Sequence, residues 1–209
     1  MEADFYCGLT VGCVLVSALV VDTTRHVRAA ERERRGWCDY ASGRGLCYSC
    51  RSTTWSLLAH HRIEGRVRGV PLSLGTGLGA VGMPMTTVKA VTAVPIEGRL
   101  YVSCPPEFSR ALRDVEAQRI EVADPDFNGR VFLVHATAPQ LARVVLVRSV
   151  RETLLRMGAI GVRSVSFRCD REEIAVEWLG HEAVPDVFDL GCDVVVGACQ
   201  SRGRVGAYR

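Results

Sequence analysis

The sequence predicts an α+β protein, with an N-terminal transmembrane helix followed by an antiparallel β-meander and several short helices. Three observations predict it. Residues 5–21 carry no charge and lead at once into a basic stretch. Residues 62–103 read as strands punctuated by turn signals. Residues 139–157 and 185–199 place apolar side chains at helical spacing. The implied organisation is an anchor and basic stalk over 1–36, a soluble domain over 37–200 and a disordered tail over 201–209.

The anchor rests on length. Residues 5–21 as a helix span about 25 Å, close to the roughly 30 Å hydrocarbon core of a bilayer. A secretory signal would begin with positive charge, whereas this chain begins Met1-Glu2-Ala3-Asp4. The apolar run also ends Leu19-Val20-Val21-Asp22, which leaves a small-x-small cleavage site hard to place. A cleaved signal and a buried core element are the alternatives. Arg25, Arg28, Arg32, Arg34 and Arg35 follow the run and no basic residue precedes it, so the positive-inside rule puts the N-terminus outside and the domain in the cytoplasm. The same arginines are placed for anionic lipid head groups. Gly8 and Gly12 form a small-xxx-small pair through which two such helices could form a homodimer.

Composition narrows the partners. The net charge is +3 and Lys89 is the only lysine, which suggests a GC-rich genome more than a nucleic-acid footprint. No basic face interleaved with aromatics is present, so nucleic acid is not an expected partner. The nine cysteines are odd in number, and most sit among apolar neighbours, as befits small hydrophobes in a reducing compartment.

Each element follows from local pattern. Residues 22–36 are charged and helix-friendly, and 38–56 read as irregular. Ile63–Val67 and Val70–Leu74 flank the turn signal Arg68-Gly69. A glycine-rich loop over 75–82 precedes strands at about 86–94 and 99–103. Arg130–His135 is a further strand. Thr137 with Gln140 and Ser149 with Glu152 read as capping boxes opening two short helices, with Leu141, Val144, Val145, Val150, Leu154 and Met157 facing inward. Residues 162–168 and 173–178 form a hairpin. A last helix at about 185–199 carries Val184, Val187, Phe188, Cys192, Val195 and Cys199 on one face.

Cys38, Cys47, Cys50 and His60, with His61 beside it, are the sharpest chemical constellation. Cys47-Tyr-Ser-Cys50 is a CxxC, and a third cysteine plus one histidine would complete a tetrahedral Cys₃His zinc site. Strong zinc sequences carry two such pairs, so incidental thiols are the competing account. A dithiol redox centre would need an apolar strand before the motif, where Ala41-Ser-Gly-Arg-Gly45 reads as a loop. Gly77, Gly79 and Gly82 match GxGxxG, but Pro84 follows where a nucleotide-binding helix would have to continue. His135, His181, Asp124 and Asp126 could be assembled into an acid–base site, though their spacing does not require it. No nucleophile elbow, P-loop or HExxH occurs in the sequence.

Asp124-Pro-Asp-Phe127-Asn-Gly-Arg-Val-Phe132-Leu-Val134, followed by Val150-Arg-Glu-Thr-Leu-Leu155, resembles bacterial single-pass membrane-anchored domains of unknown function with a DPxFDxxFxV…LxxxVRxxLL signature. Asn128 stands where that pattern has its second aspartate. The resemblance implies an anchor and a similar fold and brings no known activity. Phe127 and Phe132 read as core anchors, and Asp124 or Asp126 as a turn-former through Asx hydrogen bonds. The expected function is a non-enzymatic interaction or scaffolding module at the inner face of the membrane. The alternative is a Cys/His zinc-binding or dithiol redox domain.

Overall fold

Alternation along extended chain gives a sheet two unlike faces, and here the faces differ sharply. The computed structural model describes residues 24–51, 60–79, 82–92, 95–104, 117–122, 124–128, 132–180 and 183–206. Within them the strands are β1 Cys47–Arg51, β2 His60–Val67, β3 Val70–Leu78, β4 Pro84–Val91, β5 Leu100–Ser103, β6 Gln118–Arg119, β7 Leu133–Ala136, β8 Ser166–Cys169 and β9 Glu173–Leu179. They pair antiparallel in one sheet of order β1-β2-β3-β4-β9-β8-β5-β7-β6. The helices are α1 over 24–43, α2 Pro139–Val145, α3 Arg148–Ala159 and α4 Pro185–Gly206.

Directly paired residues point to the same side, so rows can be followed across the sheet. One row runs Tyr48, Ile63, Leu74, Val88, Val176, Phe167, Val102 and Val134. All but Tyr48 are buried, and this is the face that packs on the helices. The adjacent row points the other way and runs Cys47, Glu64, Ser73, Lys89, Ala175, Arg168, Tyr101, His135 and Arg119. That second face carries the ionisable groups.

α4 lies across the apolar face, and Gly191 lets it come close. A Cβ there would sit 2.9 Å from Val88 Cγ2 and 3.0 Å from the Trp178 ring. The second half of α1 buries Trp37, Tyr40 and Ala41 against this layer, while residues 24–32 stay exposed. Phe188 of α4 joins the two, with its ring centroid 4.6 Å from Trp37, 5.0 Å from Tyr40 and 6.3 Å from Trp178. Beside it, Tyr40 donates its hydroxyl to Asp189 at 3.0 Å, and the Arg44 guanidinium forks onto the same carboxylate.

The expected fold class is corrected on two counts. Among the described residues no helix is long and apolar enough to cross a membrane. The run 5–21, with Gly8 and Gly12, lies outside the described residues. The single-pass location and the membrane assignment are therefore withdrawn, and a nine-stranded antiparallel sheet with helices stands in their place. The sheet is also not a simple meander, because the β8–β9 hairpin is inserted between β4 and β5. After β4 the chain passes over the hairpin turn, where Thr92 donates to Glu172 O and Ile96 to Arg171 O, each at 2.8 Å. Leu100 then pairs with Cys169 on the far side.

Local expectations change too. Residues 38–43 belong to α1, and 47–51 form the edge strand rather than an irregular stretch. Neither capping box forms: the N-cap positions are Ala138 and Val147, without side-chain caps. Thr137 instead accepts the Arg99 N–H through Oγ1 at 2.8 Å, and Ser149 lies inside α3. α4 continues to Gly206, into the stretch expected as a disordered tail.

Candidate functional site

On the open face, β3 contributes Pro71, Ser73, Gly75 and Gly77, every second residue of a strand whose opposite face carries Leu72 and Leu74. The missing bulk makes β3 the floor of a cleft of about 760 Å³, within the usual range for ligand sites. One wall is Ser49 and Arg51 of β1 with His60, Arg62 and Glu64 of β2. The other is Thr87 and Lys89 of β4, with Arg168 and Glu177 beyond.

The charges on this face hold one another in place. Ala175 lies between Lys89 and Arg168 in the row and is fully buried. Both cations converge on Glu173, Lys89 Nζ reaching Oε2 at 2.9 Å and the Arg168 guanidinium taking Oε1. Arg168 Nε also stands 3.5 Å from Glu177 Oε1. Across the floor, Arg62 Nε donates to Glu64 Oε1 at 2.9 Å. These pairs are partly exposed and each adds little stability alone. Their effect is to fix the direction of donors and acceptors over the glycine floor.

The proposed zinc ligands are divided. Cys47 and Cys50 are three apart in a strand, and an odd separation puts them on opposite faces. Cys47 and His60 belong to the open face, whereas Cys50 shares the helix-covered face with His61, and Cys38 is exposed on α1. Among the described residues no group of three or more His, Cys, Asp or Glu side chains is placed to hold a metal ion. Cys169 and Cys192 are buried and Cys199 half-buried as apolar filling: burial pushes Cys169 up to about 12, and Cys192 and Cys199 up to about 11.

The other candidates also find definite places. Gly79 and Gly82 belong to the β3–β4 turn, where Gly79 N–H donates to Met83 O at 2.8 Å; β4 follows, not a helix. His135 sits on the open face with its pKa lowered, first by burial and then by Arg119. His181 lies outside the described residues. Arg25, Arg28, Arg32 and Arg35 line one stripe of α1, with Glu31 paired to Arg35 at 2.7 Å.

Sequence inspection misses His61 as a structural residue. Alternation from His60 turns it inward, where it is only 2 % exposed. Its ring stacks on Trp37 at 5.2 Å and bonds the Tyr48 hydroxyl through Nδ1 at 2.9 Å. Glu33 Oε1 stands 3.4 Å from Nε2, a long ion-pair approach rather than a good hydrogen bond. Burial first, and then the Cys50 thiol, push the Tyr48 hydroxyl above its ordinary value. This cluster fastens α1 to β1 and β2.

The segment that carries the family resemblance is likewise a fastening. Phe127 and Phe132 are buried and stack at 4.9 Å. Asp124 Oδ1 accepts the Phe127 N–H at 3.2 Å, an Asx-type turn, and Oδ2 takes Arg151 Nε at 2.9 Å. Arg151 also donates to Leu146 O at 2.6 Å. Asn128 Oδ1 accepts the Val122 N–H at 2.9 Å while its Nδ2 donates to Val122 O, which an aspartate could not do.

The Arg151 hydrogen bond is the largest cause of the lowered Asp124 pKa. A depressed carboxyl stabilises the fold above its unfolded pKa of about 3.9, and that contribution is lost as pH falls through the lower folded value. Asp124→Asn keeps the turn acceptor and removes the charge. Urea midpoints should show wild type ahead of the variant at pH 7, the gap closing as pH falls below about 4. A gap that stays constant down to pH 2 would assign the role to the turn alone.

Neither a protein-family model nor a curated protein matches the sequence. Among solved structures, the chain is similar to the mycobacterial trehalose monomycolate transport factor A, TtfA, at a TM-score of 0.55 and 12 % identity. The match covers 80 % of this chain and 93 % of TtfA. A likeness at that identity is one of fold.

Proposed function

We propose that the protein is a non-enzymatic interaction module whose working surface is the open face of its sheet. The observation that carries this is the cleft over β3: a sheet covered by helices on one side leaves a concave, polar surface with its charges already oriented on the other. Preorganised donors and acceptors reduce the ordering cost of binding. The neighbour in fold is named as a transport factor, a role that accords with binding.

Photo-crosslinking tests it in producing cells. A photoreactive residue at Thr87, in the cleft, should give light-dependent adducts, and one at Arg156, on the exposed side of α3, should not. Adding Arg62→Glu and Lys89→Glu should remove the Thr87 adducts. Equal adducts from both positions, or adducts indifferent to the charge reversals, would refute a role for the open face.

A further inference from the structure

We propose that the cleft over β3 binds an acidic sugar, a polyhydroxylated ring carrying one carboxylate, with the carboxylate held at Arg51. The proposal rests on the open face being the working surface and adds the class of ligand. Its first support is shape. A Cβ at Gly77 would meet nothing within 4 Å, and at Gly75 only His61 O at 3.2 Å. Two strand spacings, about 10 Å, separate the walls on β2 and β4. That leaves room for a flat ring lying on backbone.

The second support is the kind of polar group on each wall. Arg62–Glu64 on the β2 wall, and Arg168–Glu177 on the strands beyond β4, each set a guanidinium donor beside a carboxylate acceptor. A hydroxyl both donates and accepts, and adjacent ring hydroxyls match such a pair. Ser73 adds a hydroxyl at the floor and Thr87 one on the β4 wall.

The third support is charge. Arg51, Arg62, Lys89 and Arg168 line the cleft with Glu64 and Glu177, and Glu173 binds both Lys89 and Arg168. Arg62 pairs with Glu64, Lys89 with Glu173, and Arg168 with Glu173, Glu177 and Asp170, whereas Arg51 has no carboxylate partner among the described residues. A neutral ligand would leave Arg51 unused, and a highly charged one would have to break the internal pairs. A single carboxylate fits the guanidinium fork.

Titrating the full chain with glucuronate, glucose and acetate, followed by ¹H–¹⁵N amide shifts, separates these contributions. Glucuronate should bind with saturable shifts in β2, β3 and β4, and more tightly than either fragment. Arg51→Ala, at an exposed edge, should weaken glucuronate about 10-fold and leave glucose unchanged. Gly77→Leu, directed into open space, should abolish binding with the fold intact. A uronate-containing trisaccharide that binds tighter still would assign the cleft to one unit of a glycan, and equal or weaker binding to the free sugar. Acetate as tight as glucuronate, glucose as tight as glucuronate, or no saturable shift overturns the proposal. If Thr87 still crosslinks in that case, the open face stands and only the ligand class falls.

Discussion

Replacing Phe188 by alanine is expected to cost about 3–5 kcal/mol, a large share of the stability of an ordinary domain. Phe188 is fully buried and contacts the rings of Trp37 on α1 and Trp178 on β9. Tyr40 meets it edge-on at 5.0 Å. Such aromatic pairs are worth about 0.5–1.5 kcal/mol beyond the area they bury. The cavity would open where three elements meet, so none could collapse into it without losing its other contacts. Urea unfolding reads the total loss. Hydrogen exchange adds a finer test: amides of residues 37–43 should lose protection first, because Phe188 and Asp189 together hold that half of α1. A loss under about 1 kcal/mol would show that α1 is held by the His61 cluster instead.

Gly191→Val tests the opposite fault, too much volume. The added Cβ would meet Val88 Cγ2 at 2.9 Å and Trp178 ring atoms at 3.0 and 3.1 Å. Neither neighbour can yield easily, since Val88 is fully buried and Trp178 is 4 % exposed. Overpacking of this kind costs about 1–3 kcal/mol, and valine's branched methyls should bring the loss to the upper end. Gly191→Ala should lose less, because alanine recovers about 1 kcal/mol of helix propensity. Gly197→Ala is the internal control. Its Cβ would press only on Val150 Cγ2 at 3.1 Å, so thermal unfolding should show little change. Equal losses at the two glycines would mean that helix α4 does not rest on the sheet at Gly191.

Local pattern carried far into this fold and then stopped at long-range pairing. The turn at Arg68-Gly69 was legible because both residues take positive φ, 50° and 82°, as a tight two-residue hairpin requires. The β8–β9 hairpin and the inward residues Val150, Leu154 and Met157 of α3 were legible from period alone. The insertion of that hairpin beside β4 was not, because Val88 and Val176 are paired across 88 positions and periodicity holds no record of partners. The capping boxes failed for a tertiary reason, Thr137 being engaged by Arg99. β1 was hidden because five mixed residues acquire a strand's face only from β2. The cleft was also written in the chain, as small residues at 73, 75 and 77 beside leucines at 72 and 74. The glycines from 75 to 82 fit a loop equally well, and that competing pattern masks the alternation.

The placement of Cys47 and Cys50 has a redox consequence. In β1 their Cα atoms are about 10 Å apart, beyond the roughly 7 Å that a disulfide can bridge. The native sheet therefore keeps the two thiols from joining, however oxidising the surroundings. A bond between them closes only after β1 has peeled away from β2. With an oxidant present, oxidation of this pair would therefore report opening of the β1 edge.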